Sequence, residues 1–349
     1  MRIEKRPHVS ILWLVSAPLL ASLAALILSA ALIIWAGQSP LRAYQELVLA
    51  ALGSRGGLAE TLSYATPLIF TGLAAAIAFR AKFWNIGGEG QLYIGACAAT
   101  ALGTGILTAP PVILIPLLFI AGALAGGILL VIPVILKTAL RVDEVVTTLL
   151  LNFIVLLVVS FLIEGPWRDP MALGWPQAAP IIDEGVLPKL LDRTRLHIGF
   201  LVAVGCAVIS WFVMQRTVWG FEIRAVGLAA TAAAFAGMRV TRVVVIAALI
   251  SGAMAGMAGV SEVAGLKGYM TLDLSPGFGY TGIAVAMLAG LHLLAVVPAA
   301  IFLSAVYVGA DSMSRTLDIP TYLADVLVAL SVLAILVCTV FARYRLRFS

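Results

Sequence analysis

From Pro111 to Leu136 no charged residue interrupts the chain, and from Val145 to Ile163 the only polar side chains are Thr147, Thr148, Asn152 and Ser160. Runs of this kind recur from one end of the sequence to the other, and they leave few folds open. A soluble domain carries about 25% charged residues. Here 11% of the 349 residues are charged and 62% are hydrophobic. A water-soluble core has no room for so much apolar surface. The chain is therefore expected to be an all-α, polytopic membrane protein with lipid as its main solvent.

Helices of about 20 apolar residues fit these runs at 11–36, 61–79, 91–109, 112–136, 145–163, 198–215, 242–260, 280–294, 295–311 and 322–341, ten spans in all. The first is longer than the roughly 7–15-residue hydrophobic region of a secretory signal and reads as a retained helix. The joint between 280–294 and 295–311 is marked only by Leu291-His292-Leu293, with Pro298 soon after. With ten spans and a cytoplasmic N-terminus, fourteen of the 22 Lys and Arg residues fall inside and eight outside. That bias points to N-in, C-in topology. The basic residues stand one to three at a time at the ends of apolar runs, not in a stripe interleaved with aromatics. The net charge of +5 thus reads as a topology signal, and no nucleic-acid partner is expected. The whole chain, 1–349, is expected to form a single transmembrane domain.

Two hydrophilic segments interrupt the pattern. Residues 164–197, with "EGPWRDPMALGWPQAAP", form an outer loop in which Pro and Gly prevent a long helix. Trp167 and Trp175 suit the headgroup level or a partner. Residues 216–242 lie inside, and their run of alanines favours a short helix from near Phe221 to near Gly237 along the cytoplasmic face. Gly122 with Gly126, and Gly252 with Gly256, form G-x-x-x-G pairs that let helices approach closely. Packing within the chain is the simpler use of them than dimerisation.

Several chemistries lack their residues. There is no G-x-x-x-x-G-K-[ST], H-E-x-x-H or G-x-S-x-G pattern, so no nucleotide loop, zinc site or hydrolase elbow is expected. Cys97, Cys206 and Cys338 lie in apolar runs and read as small buried residues. His8, His197 and His292 are far apart. No metal, cofactor or catalytic group is expected. A proton-coupled carrier wants acids at mid-span, but Glu89 and Asp325 fall near span ends, so the energy source is expected in another polypeptide. The strongest intramembrane polar cluster is Asn85, Glu89 and Gln91, with Gly87, Gly88 and Gly90 loosening the helix. Two readings stay open for it: capping of a helix break, and contact with a transported solute. Asn152 lies within the fifth span, and Tyr280 enters a later one. Thr147, Thr148 and Ser251 are expected to bond their own helix backbone.

At these same residues the chain resembles a known family. "FWNIGGEGQLYIGA" is similar to the "FNIG-EGQ" signature of ATP-binding cassette importer permeases for nucleosides and simple sugars, a group within the branched-chain amino acid permease superfamily. "VDEVVTTLLLNFI" resembles that group's "VNEVISTLMLNYI". "GFEIRAVGLAATAAAFAGM" resembles its cytoplasmic "GF-IRAVG-N--AA-YAGI". "SGAMAGMAG" and "SPGFGYTGIAVAMLAG" match "SGALAGLAG" and "GYGFDGIAVALLG". The matches keep family order from about residue 60 to 310. Leu228 replaces the family's Asn, Phe235 its Tyr and Thr281 a common Asp, and Trp84 lengthens the first motif.

The resemblance implies the permease fold and one transport subunit of a multi-pass importer in the bacterial cytoplasmic membrane. The expected partners are an ATP-binding cassette ATPase, a second and shorter homologous permease, and an extracytoplasmic solute-binding lipoprotein. The solute is expected to be a nucleoside or simple sugar. Permeation of branched-chain amino acids, or a stand-alone secondary carrier, are the alternatives. The resemblance also implies that a helix over Glu222–Gly237 docks on the ATPase, with Glu222, Arg224, Ala225, Gly227 and Gly237 carrying the coupling. Arg224 suits an acidic groove edge or a lipid headgroup. Asn85, Glu89, Gln91, Asn152 and Tyr280 are the expected solute-path residues, with Phe83, Trp84 and Phe153 as apolar walls.

Overall fold

The computed structural model describes residues 26–320 without interruption, together with 2–5, Leu23 and scattered positions from 322 to 347. Helices carry the fold. Among the described residues the only paired strands are β1 (Arg2–Lys5) and β2 (Tyr344–Arg347), which run antiparallel. Two compact units are distinguished, 1–61 with 302–349 and 62–301.

In the first unit, α1 (Leu26–Trp35) meets α2 (Pro40–Leu52) at a bend of 116°. Gly37 makes this bend possible. It sits at φ 77°, its N–H reaches the Ile34 carbonyl, and the Gln38 N–H reaches that of Ile33. This left-handed cap closes one helix, and Pro40 opens the next at its first position. Ile33, Ala43, Ala310, Met313, Ile319 and Val328 form the unit's buried cluster. Glu46 accepts hydrogen bonds from Ser312 (3.1 Å) and Thr316 (3.3 Å).

The second unit is built on three helices, α4 (Gly88–Gly103), α5 (Pro111–Leu129) and α11 (Val240–Glu262). Glycine governs their approach. A Cβ added at Gly256 would collide with the Gly122 carbonyl, one at Gly252 with that of Gly126, and one at Gly95 with that of Gly256. Both G-x-x-x-G pairs thus face each other inside the chain, as the packing reading expects. This unit also holds α6 (Val131–Leu140), α7 (Glu144–Glu164), α8 (Gly199–Arg216), α9 (Val218–Leu228), α10 (Ala230–Phe235) and α12 (Phe278–Leu288), while α3 (Arg55–Arg80) and α13 (Val296–Thr316) each run from one unit into the other. A π-helical turn, Val263–Lys267, ends α11. The connection between α7 and α8 holds only two short 3-10 turns, Pro170–Ala172 and Asp183–Gly185.

Six helices among the described residues are long and apolar enough to cross a membrane: Arg55–Arg80, Pro111–Leu140, Glu144–Glu164, Gly199–Arg216, Val240–Lys267 and Val296–Thr316. The bent α1–α2 pair raises this to seven. The expected span 91–109 is instead α4, of 16 residues. The run 280–294 holds only α12, of 11 residues. Residues 11–22 and half of 322–341 lie outside the described residues. The single helix expected over Glu222–Gly237 is two helices. Ala229, at φ −155° and ψ 90°, adopts an extended conformation between α9 and α10.

Candidate functional site

The segment between α3 and α4 is a break lined with polar groups. α3 closes on Lys82, which takes the left-handed conformation at φ 54°. The Lys82 N–H bonds the Phe79 carbonyl and the Phe83 N–H that of Ala78. Residues 83–87 follow without helical hydrogen bonds, and inside an apolar bundle every exposed backbone group there needs a partner. Most of those partners lie on one face of α7. Glu144, Thr148 and Asn152 are spaced at i, i+4 and i+8, so they line one stripe. Glu144 accepts from the Trp84 N–H (3.2 Å), and Thr148 Oγ1 accepts from that of Ile86 (3.2 Å). Asn152 Oδ1 accepts from the Gly90 N–H (2.8 Å), while its Nδ2 donates to the Ile86 carbonyl (3.1 Å) and to the Tyr280 hydroxyl (3.0 Å). Lys137 pairs with Glu144 and donates to the Lys82 carbonyl (3.0 Å).

Asn85 and Gln91 form a reciprocal amide pair, 2.9 Å each way. Asn85 also accepts from the Gly87 N–H and donates to Ser251 Oγ, both at 2.9 Å. Ser251 passes its own proton to the Ala74 carbonyl of α3 (2.7 Å). It therefore ties α11 to α3, where a bond to its own helix was expected. Thr148 keeps the expected own-helix bond, to the Glu144 carbonyl (2.7 Å). Glu89, in the first turn of α4, accepts from the Gly279 N–H (2.7 Å) at the start of α12. The two backbones approach so closely that a Cβ at Gly279 would collide with Glu89.

The five path residues expected from sequence thus come together in one network. Asn85, Glu89, Gln91 and Asn152 are buried, and Tyr280 is 40% exposed. Trp84 is partly exposed and Phe83 fully buried, whereas Phe153 points away, at 56% exposure. Sequence reasoning left Glu144 and Ser251 out of the site. The Glu-x3-Thr-x3-Asn spacing on α7 is the signal that places Glu144. The network braces the break and holds the Tyr280 ring at its edge.

The second set of expected residues lies on α9 and α10. Thr217 caps α9, accepting from the Gly220 N–H (3.3 Å) and donating to the Val213 carbonyl (2.7 Å). A Cβ at Gly220 would strike the Val213 and Met214 carbonyls, and one at Gly227 the Arg80 carbonyl. α9 is therefore pinned to the ends of α8 and α3. Arg80 in turn donates to the Leu291 carbonyl (2.8 Å). Ile223 and Val226 are buried, whereas Leu228 and Phe235 stand 88% and 98% exposed. Glu222, Arg224 and Ala225 are half-buried. Gly237 ends α10 at φ 86°. The outward face from 228 to 237 is uncharged. Among the described residues no group of three or more His, Cys, Asp or Glu side chains is placed to hold a metal ion.

Residues 57–336 match the family described as branched-chain amino acid transport system / permease component. The chain is similar to the guanosine ABC transporter permease protein NupP of Bacillus subtilis, 36% identical over 333 residues, covering 95% of this chain and 94% of that one. It is also similar to the glucose ABC transporter permease protein TsgB13 of Haloferax volcanii, 34% identical over 94% of this chain and 88% of that one. The nucleoside ABC transporter permease protein NupB of Lactococcus lactis is 31% identical over 89% and 88%. With the family's profile spanning 57–336 and relatives aligned along nearly the whole length, the chain belongs to the permease components of the branched-chain amino acid transport system family.

Proposed function

We infer that the chain is the permease subunit of an ATP-binding cassette importer that passes a nucleoside, or a related simple sugar, across the cytoplasmic membrane by alternating access. One observation carries the mechanism: Gly227 of α9 seats on the last carbonyl of α3, immediately before the polar break. A push on the exposed 228–237 face is thereby delivered to the 83–87 segment through backbone contact. ATP hydrolysis belongs to a separate ATPase, which takes that face. A second, shorter permease and a solute-binding lipoprotein complete the importer. Ten spans with both termini inside place 216–242 next to the ATPase and 164–197 next to the binding protein.

In this reading the buried amides of Asn85, Gln91 and Asn152, with Glu89, set the wall of the path. The Tyr280 ring meets the solute. A neutral nucleoside wants hydrogen-bond partners and aromatic surface rather than a fixed charge, which favours it over a branched-chain amino acid. The nucleoside and guanosine names of two relatives support the same choice.

Proteoliposomes holding the permease pair and ATPase, supplied with binding protein and labelled guanosine outside, test the reading. ATP-dependent accumulation is expected, and Gly227→Leu is expected to uncouple ATP hydrolysis from uptake. Uphill uptake by this chain alone on a proton gradient would establish the secondary-carrier alternative instead.

A further inference from the structure

A cavity of about 570 Å³ opens beneath the elbow between α8 and α9. That volume lies within the roughly 300–1,000 Å³ of ordinary ligand pockets. Its walls are Ile209, Val213 and Met214 of α8, Trp219 of α9, and Ile250 and Met254 of α11. The walls are almost wholly apolar: Ser210 and Thr217 are the polar lining residues, and the Thr217 hydroxyl is already bonded to Val213 and Gly220. Ile209 is 63% exposed while lining the cavity, and Phe212 beside it is 55% exposed. The cavity therefore opens on the outer face of a helix that is itself long and apolar enough to span the membrane.

The charge next in sequence to the lining residues narrows the occupant further. Arg216 ends α8 between the lining residues Met214 and Thr217, and it is exposed. From 216 to 242 the chain carries four arginines, Arg216, Arg224, Arg239 and Arg242, against one acid, Glu222. An apolar slot open to the bilayer, with an exposed arginine in the helix end that lines it and a tryptophan in its wall, fits a lipid with a negative headgroup. We propose that one acyl chain of an anionic phospholipid fills this cavity, with its headgroup on Arg216. This rests on the reading that the end of α8 faces the cytoplasm. The lipid then supports the Thr217–Gly220 elbow from which the ATPase-docking face is hung.

Trp219 supplies the probe. The assembled transporter is reconstituted with phospholipids brominated on the acyl chain, in phosphatidylglycerol and phosphatidylcholine series, and fluorescence quenching is compared with that of the Trp219→Phe complex. The difference reports Trp219 alone. Quenching through Trp219 is expected to show about fivefold tighter association with brominated phosphatidylglycerol, the share of one basic side chain at an anionic surface. Arg216→Gln is expected to abolish the preference. Native mass spectrometry of the wild-type complex gives a second readout that needs no Trp219 variant: retained phosphatidylglycerol, lost in Arg216→Gln. Absence of Trp219 quenching, or equal quenching by the two lipids, overturns the proposal, as does occupation of the groove by a partner subunit. The quenching is read without solute, so failure of guanosine uptake would indict the transport reading and leave the groove assignment standing.

Discussion

Asn152 occupies a position at which no other side chain does the same work. Its amide oxygen takes the Gly90 N–H, and its amide nitrogen serves the Ile86 carbonyl and Tyr280. Asn152→Leu leaves two buried backbone groups unpaired at about 1–3 kcal/mol each. A loss of roughly 2–6 kcal/mol in unfolding free energy is expected, measurable by chemical denaturation in detergent. Tyr280→Phe removes only an acceptor at a half-open position, so stability should hold while the KM for nucleoside uptake rises. A stability loss matching that of Asn152→Leu would make Tyr280 part of the brace instead. His197, in the connection before α8, behaves differently. Its Nδ1 accepts from the Gly199 N–H (3.2 Å), and its Nε2 has no partner among the described residues. Burial first, and then the Lys189 charge, bring its pKa down to about 4. Lys189 itself is held on the Gly265 carbonyl (2.7 Å). The unfolded chain has a histidine pKa of about 6.5. Between those values it binds a proton that the folded chain refuses, so stability falls as pH drops from about 6.5 toward 4 and is level above. His197→Gln is expected to flatten that part of the melting-temperature profile. An unchanged slope would assign the acid sensitivity to other groups.

Elements separate into those written in the sequence and those set by neighbours. That the glycine pairs serve packing within the chain was legible, because glycines four apart on an apolar run allow close helix approach; which helices they join was not, and the structure sets Gly252 and Gly256 against Gly126 and Gly122. The start of α4 was not legible from hydropathy. Its break is fixed by Glu144, Thr148 and Asn152 on α7 and by Gly279 on α12, all distant in sequence. Gly88 and Gly90 thus serve close approach inside a helix, and only 83–87 interrupt it. α2 escaped notice because Arg42 and Glu46 break its apolar run, and α9 and α10 read as one helix because alanine is neutral about where a helix stops. The glycine packing gives a sharp contrast between helices. Gly256→Leu drives a side chain into the α5 backbone and is expected to abolish folded protein in size-exclusion profiles. Gly205→Leu on α8, where nothing lies within 4 Å of an added Cβ, is expected to elute and melt as the parent does.

At the scale of the molecule, the distribution of charge over ten spans and the six to seven helices that qualify by length and composition make different demands on where the connections emerge. Both counts put a single crossing, α8, between two residues of the second unit that test the orientation. Leu173 stands fully exposed in the 164–197 connection, and Phe235 stands 98% exposed at the end of α10. Both are uncharged, and neither packs into the core, so replacement by cysteine costs the fold little. The basic residues of short connections set orientation, and Arg216, Arg239 and Arg242 flank α9 and α10. The positive-inside bias therefore predicts a cytoplasmic Phe235. A single candidate span, α8, separates it from the 164–197 connection, which predicts Leu173 on the outer side. In intact cells a membrane-impermeant maleimide is expected to label Leu173→Cys and to spare Phe235→Cys until the membrane is opened. The proposed docking of the ATPase on the 228–237 face predicts that labelling of Phe235→Cys in opened membranes also falls when the ATPase is co-expressed. Labelling of both positions from outside would place an even number of crossings between them and remove 228–237 from the ATPase. Reversed labelling would turn the whole chain over and put the binding protein on the α9–α10 side.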